Sequence, residues 1–172
     1  CDCYPECFEE DTISDSDAVL YIGDGEFHPY ALIFAQLNKQ VVSPIVHFNP
    51  HSNKMSVLDV FDIEKQRTRM SVNMKKYVNA DVIGIFVSSK SGQYFFNLAE
   101  QLRNRLFDKG KKAYIFVGDN FNFQELENFN FIQAWVNTSC PRIAMNDVMN
   151  SVKPVVNVRD ALDPETALER LR

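Results

Sequence analysis

Apolar, β-branched runs alternate with stretches of helical periodicity along most of this chain. The apolar runs predict strands, which we place at 17–22, 41–48, 56–60, 80–87, 112–117, at a run that begins at 131 and carries the single Trp, and at 154–158. Helices are predicted between them at 30–37, 63–77, 94–108 and 164–171, with a loop and a short helix at 119–129. Strands that alternate with helices are typical of parallel sheets with helices on both faces.

The alternation occurs in two similar halves. Asp17-Ala18-Val19 opens one half and Ala80-Asp81-Val82 opens the other. In each half a strand leads through a glycine-containing loop into a helix and then a further strand. We therefore predict an α/β fold of two similar three-layer Rossmann-like domains with mainly parallel sheets. We place one domain at residues 1–78 and the other at residues 79–172.

The composition argues against several classes of function. The chain has 172 residues, of which 45% are hydrophobic and 24% are charged, as in a globular protein with a sizeable core. A net charge of -5 provides no electrostatic footprint for non-specific binding of nucleic acid. No apolar run is long enough to span a bilayer, and no secretory signal is present. We expect a cytoplasmic protein that binds neither nucleic acid nor membrane.

The cysteines are unevenly distributed. Cys1, Cys3 and Cys7 lie close together at one end, and Cys140 stands alone near the other. A disulfide framework would spread them through a small secreted chain, and a structural zinc site would need paired CxxC hooks. Reduced thiols in catalytic or metal-binding use are therefore plausible. Because the sequence begins with Cys instead of Met, we expect it to be a fragment of a longer chain.

Cys140 is the leading candidate for chemistry. It lies in the polar loop after the strand that contains Trp135, and Pro141 and Arg142 follow it. Ligands of open α/β sheets bind beyond the carboxyl ends of the strands, so a thiol beside a cation is well placed there. The alternative is a half-buried structural cysteine, with Arg142 bracing its loop through a salt bridge.

A glycine-containing loop, residues 23–29, follows the first predicted strand and contains Asp24 and His28. His28 suits an acid–base role, a ligand or a hydrogen bond at a helix start. The loop lacks the later glycines and the Lys-Ser/Thr pair of known phosphate-binding fingerprints. His47 and His51 match no metal-site spacing, and we expect both to be solvated.

The equivalent loop of the second half, residues 88–93, is rich in serine and contains Gly92 and Gln93. Its small residues can expose backbone N–H groups at a helix N-terminus, where a carboxylate or phosphate binds well. An ordinary polar loop is the alternative interpretation.

Together, the three loops resemble one enzyme family. Gly-Asp-Gly-Glu-Phe-His-Pro at 23–29, Val-Ser-Ser-Lys-Ser-Gly-Gln at 87–93, Trp-Val-Asn-Thr-Ser-Cys-Pro-Arg-Ile at 135–143 and Lys-Pro-Val at 153–155 occur in this order. The combination resembles the archaeal form of the diphthamide-synthesis enzymes, 2-(3-amino-3-carboxypropyl)histidine synthase. The resemblance spans most of the chain, and the segment around Cys140 is its most specific part.

The resemblance implies three similar α/β domains, each of which gives one cysteine to a central [4Fe-4S] cluster. This chain corresponds to the second and third domains, and Cys140 matches the third-domain ligand. The second-domain ligand of the family follows a glycine. That favours Cys1, whose preceding residue is not part of this sequence, while Cys3 and Cys7 follow acidic residues and stay open as alternatives. Without the first domain, the chain is not expected to assemble the cluster alone.

The implied activity is that of a transferase. It moves the 3-amino-3-carboxypropyl group of S-adenosylmethionine to a histidine of translation elongation factor 2, by non-standard radical chemistry at the cluster. Arg142 and the backbone at Gly92 and Gln93 then become candidates to hold the methionyl carboxylate. His28 and Asp24 would line the cleft or position the incoming histidine.

The resemblance also implies a homodimer. Two alternatives remain open at this point: a non-catalytic partner subunit of such an enzyme, and an unrelated α/β nucleotide-binding module.

Overall fold

In a computed structural model of the chain, the structure describes residues 16–24, 29, 32, 36, 43–58, 60–119, 122–144 and 151–171. The chain divides into two compact units, residues 2–69 and residues 70–170, apart from a few terminal residues. Helix α1, Val60–Asn79, contributes residues to both. Each unit contains its own β-sheet.

The first unit contains a three-stranded sheet with the order β1-β2-β3. Its strands are β1 (Val19–Ile22), β2 (Ile45–Asn49) and β3 (Lys54–Leu58). β1 and β2 are parallel, whereas β3 returns antiparallel to β2. The turn before β3 contains Asn53, with φ of 50°, a left-handed conformation that Asn tolerates better than most residues. Pro29, Leu32 and Gln36 have helical backbone between β1 and β2.

The second unit contains a four-stranded sheet in which all described strands are parallel, in the order β5-β4-β6-β7. Its elements are β4 (Val82–Ser88), α2 (Phe96–Asp108), β5 (Lys112–Gly118), α3 (Phe123–Leu126), β6 (Ala134–Asn137), a 3-10 helix (Pro141–Ala144), β7 (Val155–Asn157), α4 (Val158–Leu162) and α5 (Pro164–Arg170).

Strand β4 is the centre of this sheet, and it is buried along almost its whole length. Both faces of a central parallel strand are covered, which explains its near-continuous apolar sequence. On one face it packs with Ala99, Leu102 and Leu106 of α2, which recur at helical spacing. On the other face lies a second core cluster around Trp135.

Gly84 of β4 makes room for Trp135 of the neighbouring strand β6. The two residues are register partners, and a Cβ at position 84 would lie 2.3 Å from the Trp135 ring. The ring is 1% exposed and is packed edge-on by Phe116 and Phe129, so it has no free space into which to move. The glycine is therefore required by the close approach of the indole ring.

The predicted α/β class with mainly parallel sheets is confirmed. Every described strand, and the helices α1, α2, α3 and α5, fall in segments where the sequence pattern predicts them, with ends that differ by a few residues. The pattern does not predict α4 or the 3-10 helix at Pro141–Ala144. The antiparallel pairing of β3 was not predicted. In the part of the chain that the structure describes, no helix has the length and apolarity to cross a membrane.

Candidate functional site

The order of the strands in the second unit creates a crevice at one edge of its sheet. From β4 the chain crosses to β5 on one side and then returns to β6 on the other side of β4. In open α/β sheets, ligands bind at such a reversal, beyond the carboxyl ends of the two strands that flank it. The loops that leave β4 and β6 here are residues 88–93 and residues 138–142, two of the three loops that sequence reasoning selected.

Thr138 ties the end of β6 to β4 beyond the regular ladder. Its backbone N–H and its Oγ1 both donate to Phe86 O, at 3.2 and 2.9 Å. The Thr138 side chain is fully buried, so both bonds are shielded from water. The exit of β6 is therefore fixed against the central strand immediately before the cysteine loop begins.

Two buried asparagines hold the cysteine loop itself. Asn137 and Asn157 are register partners at the ends of β6 and β7, and Asn137 Nδ2 donates to Asn157 Oδ1 at 3.0 Å. Asn137 Nδ2 also donates to Cys140 O at 2.8 Å, while Asn137 Oδ1 accepts the backbone N–H of Ser139 at 3.0 Å. Asn157 Nδ2 donates to Pro141 O at 3.3 Å. The loop backbone thus receives hydrogen bonds from two buried side chains.

Cys140 sits on this braced backbone as a half-buried, free thiol. Its carbonyl also accepts the N–H of Ile143, which starts the 3-10 helix. That helix ends at Ala144, which is buried in the Trp135 cluster. Both ends of the cysteine loop are therefore anchored in the core, while the thiol keeps partial access to its surroundings.

The loop after β4 is also held, largely by its own polar groups. Ser88 Oγ accepts the N–H of Lys90 at 3.2 Å, and Ser89 Oγ is hydrogen-bonded to Asp119. Gly92 has φ of 77°, a left-handed conformation that suits glycine. The Gln93 N–H donates to Lys90 O at 3.0 Å and so closes the turn.

The two loops approach each other through Gln93 and Ser139. The Ser139 hydroxyl lies 3.5 Å from Gln93 Oε1, a long hydrogen bond. Helix α2 begins only at Phe96, and its N-cap, Phe95, makes no side-chain cap bond. The amide of Gln93 faces the cysteine loop, while its own N–H is already engaged in the turn.

The other predicted site residues are placed as follows. Asp24 is exposed after β1, in the first unit, where its carbonyl accepts Asn49 Nδ2 at 3.2 Å. Arg142 lies in the 3-10 helix, and its side chain is outside the described part of the structure. His28, Cys1, Cys3 and Cys7 lie outside the described residues.

The expectation of a solvated histidine is wrong for His47. Its side chain is 7% exposed, its Nε2 donates to Gly23 O at 2.9 Å, and its ring lies 5.3 Å from that of Tyr21. His51 is exposed, as expected. The signal that could have separated them was the alternation along β2, whose inward positions include His47.

Sequence reasoning also missed Asn137, Thr138 and Asn157. The available signal was an asparagine at the last position of each of two short apolar strands, where the backbone leaves the ladder. A buried polar side chain at such a point needs hydrogen-bond partners. Only the parallel register of β6 and β7 shows that the two asparagines provide them for each other and for the cysteine loop.

The described residues include one suitable metal ligand, Cys140, but they do not form a complete metal site. Among them, no three His, Cys, Asp or Glu side chains lie close enough together to hold a metal ion. Cys140 offers a partly accessible soft thiolate ligand of the kind that iron–sulfur clusters use. The described residues offer no further ligands beside it.

Known proteins resemble the chain over almost its full length. The family described as "Putative diphthamide synthesis protein" matches residues 3–163. A 2-(3-amino-3-carboxypropyl)histidine synthase of Pyrococcus horikoshii is 28% identical over 144 residues, which are 84% of this chain and 40% of that protein. Subunit 1 of the synthase from Yarrowia lipolytica is 27% identical over 150 residues, 86% of this chain and 33% of the subunit. Subunit 2 from Schizosaccharomyces pombe is 27% identical over 138 residues, 80% of this chain and 27% of the subunit.

A solved structure agrees with these matches. The crystal structure of Dph2 from Pyrococcus horikoshii with a 4Fe-4S cluster has a TM-score of 0.66 to this chain at 26% sequence identity. The match covers 91% of this chain and 42% of that one. This chain therefore spans less than half the length of the relatives that it matches.

Proposed function

The chain belongs to the diphthamide synthesis protein family, and from that premise we propose that it is part of a 2-(3-amino-3-carboxypropyl)histidine synthase. The enzyme would transfer the 3-amino-3-carboxypropyl group of S-adenosylmethionine to a histidine of translation elongation factor 2, by radical chemistry at a [4Fe-4S] cluster. One observation supports this most directly. Cys140 is a free, half-buried thiol on a braced loop at the strand reversal, which is where an α/β sheet binds its ligands.

Cys140 would be one of three cysteine ligands in this proposal. Cys1 is our choice for the second, with Cys3 or Cys7 in its place if Cys1 does not serve. The third would come from a domain beyond this sequence, which agrees with the share of its relatives that the chain covers. Residues 1–78 and 79–172 would correspond to the second and third domains of such an enzyme.

The protein's own part in the reaction is to bind and orient. A cluster held by three thiolates supplies an electron and leaves one iron open for the substrate. The asparagine pair fixes the backbone from which the Cys140 thiolate extends, so the ligand is preorganised before the cluster binds. Because the loop is anchored to the core at both of its ends, the thiolate can hold its position while substrate enters and product leaves.

The methionyl carboxylate would be held near the same crevice. Arg142 is the last residue of the loop that carries Cys140, and a guanidinium can pair with a carboxylate through two hydrogen bonds. Gly92 and Gln93 belong to the facing loop, residues 88–93, and the Gln93 side chain contacts Ser139. Because the Gln93 N–H closes the turn, we assign carboxylate binding there to the side-chain amide and to the backbone at Gly92.

His28 and Asp24 would serve the protein substrate. In the proposal they line the cleft of the enzyme or position the incoming histidine of the elongation factor. The enzyme would act in the cytoplasm, where the elongation factor works, and as a homodimer.

A non-catalytic partner subunit is the second candidate. The chain is 27% identical to a subunit 1 and 27% identical to a subunit 2, so these two matches do not assign it to one subunit type. The third interpretation, an unrelated nucleotide-binding module, disagrees with the family membership.

Cluster assembly tests the proposal. The complete polypeptide that carries these residues is reconstituted anaerobically with iron and sulfide, as wild type and as Cys140→Ala, Cys1→Ala, Cys3→Ala and Cys7→Ala. We expect Cys140→Ala and one of the three N-terminal variants to lose the broad absorption near roughly 400 nm that thiolate–iron charge transfer produces. The other two N-terminal variants are matched controls. Wild-type iron content in Cys140→Ala would contradict the ligand assignment.

Binding of S-adenosylmethionine tests the substrate site separately. Arg142→Ala is compared by calorimetry with Arg103→Ala, which changes a half-exposed arginine on α2 that pairs with Glu100. Loss of a charged, bidentate contact should raise the Kd about 10-fold to 100-fold in the first variant and leave it unchanged in the second. Equal affinity in both variants would remove Arg142 from the carboxylate site.

A further inference from the structure

Asp119 is the first residue after strand β5. Because β4, β5 and β6 are parallel, it lies at the same edge of the sheet as the loops that leave β4 and β6. The Ser89 N–H donates to Gly118 O at 3.0 Å, which extends the pairing of β4 and β5 past the end of β4. The Ser89 hydroxyl then donates to the Asp119 carboxylate. Asp119 is therefore attached to the loop of residues 88–93, which contains the candidate carboxylate-binding residues.

Most of the hydrogen-bonding capacity of the Asp119 carboxylate is available. The residue is exposed, and among the described residues its one partner is the Ser89 hydroxyl, which is bonded to Oδ1. An ionised carboxylate accepts hydrogen bonds at about four lone-pair sites, so Oδ2 and a second site of Oδ1 can accept further donors. Bracing the loop would use only one of these sites.

The strand order places Asp119 where dinucleotide-binding sheets bind a ribose. In those sheets the first strand has the second strand on one side and a later strand on the other, and an acidic residue after the second strand binds the ribose 2′-hydroxyl. In this unit β4 has β5, the next strand along the chain, on one side and β6 on the other. Asp119 follows β5, so its position in the βαβ unit is that of the ribose-binding acid.

The spacing of the strands suits the substrate of the proposed reaction. Neighbouring strands lie about 4.8 Å apart, so β5 and β6, on either side of β4, are separated by about 10 Å. In an extended S-adenosylmethionine a comparable distance separates the methionyl carboxylate from the ribose hydroxyls. With the carboxylate beside the cysteine loop after β6, the ribose would therefore reach the end of β5.

We propose that Asp119, oriented by Ser89, binds the ribose diol of an adenosyl ligand by accepting hydrogen bonds from its 2′- and 3′-hydroxyls. The ligand is S-adenosylmethionine, an identity that rests on the proposed function. Asp119 then determines specificity for ribose, because a ligand without the 2′-hydroxyl leaves one of its acceptor sites unpaired.

Calorimetry with three ligands tests the assignment on the complete polypeptide, reconstituted with its cluster and kept without a reductant. S-adenosylmethionine has both the carboxylate and the ribose diol. Removal of the aminocarboxypropyl group leaves 5′-methylthioadenosine, which has only the diol, and 2′-deoxy-5′-methylthioadenosine lacks one of its hydroxyls. The variants are Asp119→Asn and Ser89→Ala. Asp108→Asn is the matched control, because Asp108 is an exposed acid at the end of α2. Circular dichroism verifies that each variant is folded.

We expect Asp119→Asn to raise the Kd of S-adenosylmethionine and of 5′-methylthioadenosine about 10-fold or more, because hydrogen bonds to a charged acceptor are weakened or lost. Ser89→Ala should raise both by a smaller factor, since the carboxylate remains. The wild type should bind the 2′-deoxy ligand about 10-fold more weakly than 5′-methylthioadenosine, and Asp119→Asn should lose most of this preference. Asp108→Asn should bind all three ligands as the wild type does.

The preference for ribose over 2′-deoxyribose distinguishes ligand contact from bracing of the loop, because loss of bracing would weaken both ligands equally. An Asp119→Asn variant that keeps the wild-type preference, or the wild-type Kd for 5′-methylthioadenosine, would overturn the proposal. If the wild type binds 5′-methylthioadenosine through Asp119 but does not bind S-adenosylmethionine, the ribose site stands and the proposed function fails. If the wild type binds neither ligand, both fail.

Discussion

At two strand ends in this chain, side chains of the strand or its neighbour hydrogen-bond to the backbone of the following loop. These hydrogen bonds differ in burial. At the end of β6, Asn137 and Asn157 supply the hydrogen bonds of the cysteine loop, and both are nearly inaccessible to water. The same loop is anchored to β4 by Thr138. Most hydrogen bonds of this loop are therefore buried, where an unmade hydrogen bond is costly.

At the end of β1, the hydrogen bonds come from side chains of β2. His47 Nε2 donates to Gly23 O, and Asn49 Nδ2 donates to Asp24 O. Only the histidine is buried; Asp24 is exposed, and the Asn49 bond lies at the surface. Leu20 and Ile22 of β1 are also exposed in this structure.

The difference in burial indicates how well each loop can tolerate the loss of a hydrogen-bond partner. A loop with buried ties has one conformation, because water cannot replace a lost partner, whereas a loop with exposed ties can exchange protein contacts for water at little cost. The rigid loop carries the thiol that we propose as a metal ligand. Gly23 and Asp24, whose hydrogen bonds are the more exposed, precede His28 in the sequence, which we propose to serve a macromolecular substrate.

The largest difference in stability is expected between two single glycine substitutions, one in each sheet. In Gly84→Ala the new Cβ would meet the buried Trp135 ring at 2.3 Å, and in Gly23→Ala it would meet the Tyr21 hydroxyl at 2.5 Å. Tyr21 is only half-buried and can turn aside, but Trp135 cannot. Gly84→Ala should lower the free energy of unfolding by about 3 kcal/mol and Gly23→Ala by less than about 1 kcal/mol, measured by urea titration. Equal losses would mean that the two sheets are equally rigid.

The second test removes one asparagine from each strand end. Asn137→Ala leaves Cys140 O, Asn157 Oδ1 and the Ser139 N–H without their buried partner, at a cost of about 2 kcal/mol. Asn49→Ala removes exposed bonds and should cost about 1 kcal/mol or less. The rate at which iodoacetamide alkylates Cys140 should change in Asn137→Ala only. An unchanged rate would show that the asparagine does not control the thiol.

The two histidines of the first unit form a third matched pair. His47→Ala loses the bond to Gly23 O and the contact with the Tyr21 ring, and should destabilise the protein by about 1 kcal/mol. His51 is exposed, and its backbone N–H, which the substitution keeps, donates to Asn49 Oδ1. His51→Ala should therefore leave the urea midpoint unchanged. If the two variants have the same urea midpoint, the His47 hydrogen bond contributes nothing to the stability of the protein in solution.

The smallest effect on stability is expected from hydrogen bonds to a fully exposed carboxylate. Thr166 hydrogen-bonds the Asp163 carboxylate through its hydroxyl and its backbone N–H, and these bonds lower the pKa of Asp163. A lowered folded-state pKa contributes stability above the unfolded pKa, about 3.9, and that contribution is lost as the pH falls through the folded value. Asp163→Asn should narrow the difference in thermal midpoint between neutral and acidic pH. Thr166→Val should narrow it less, because the N–H remains. An unaltered acid dependence in both variants would exclude this contribution.

Much of the fold and part of the site followed from local patterns. Runs such as 80–87 predicted buried strands, and the lone cysteine after Trp135 was selected because it follows one. The role of Asn137 could not be inferred in this way. Its partner Asn157 is distant in sequence, and nothing local to either residue indicates that their side chains meet.

The sequence by itself determined the alternation of strands and helices, the family, and the position of Cys140 just after a strand. These depend on periodicity and on short motifs, which are properties of neighbouring residues. Only the tertiary structure decided that the loops after β4 and β6 share one crevice, that His47 is buried, and that two asparagines brace the cysteine loop. Each of these depends on strand order and register, which are set by packing between residues far apart in the chain.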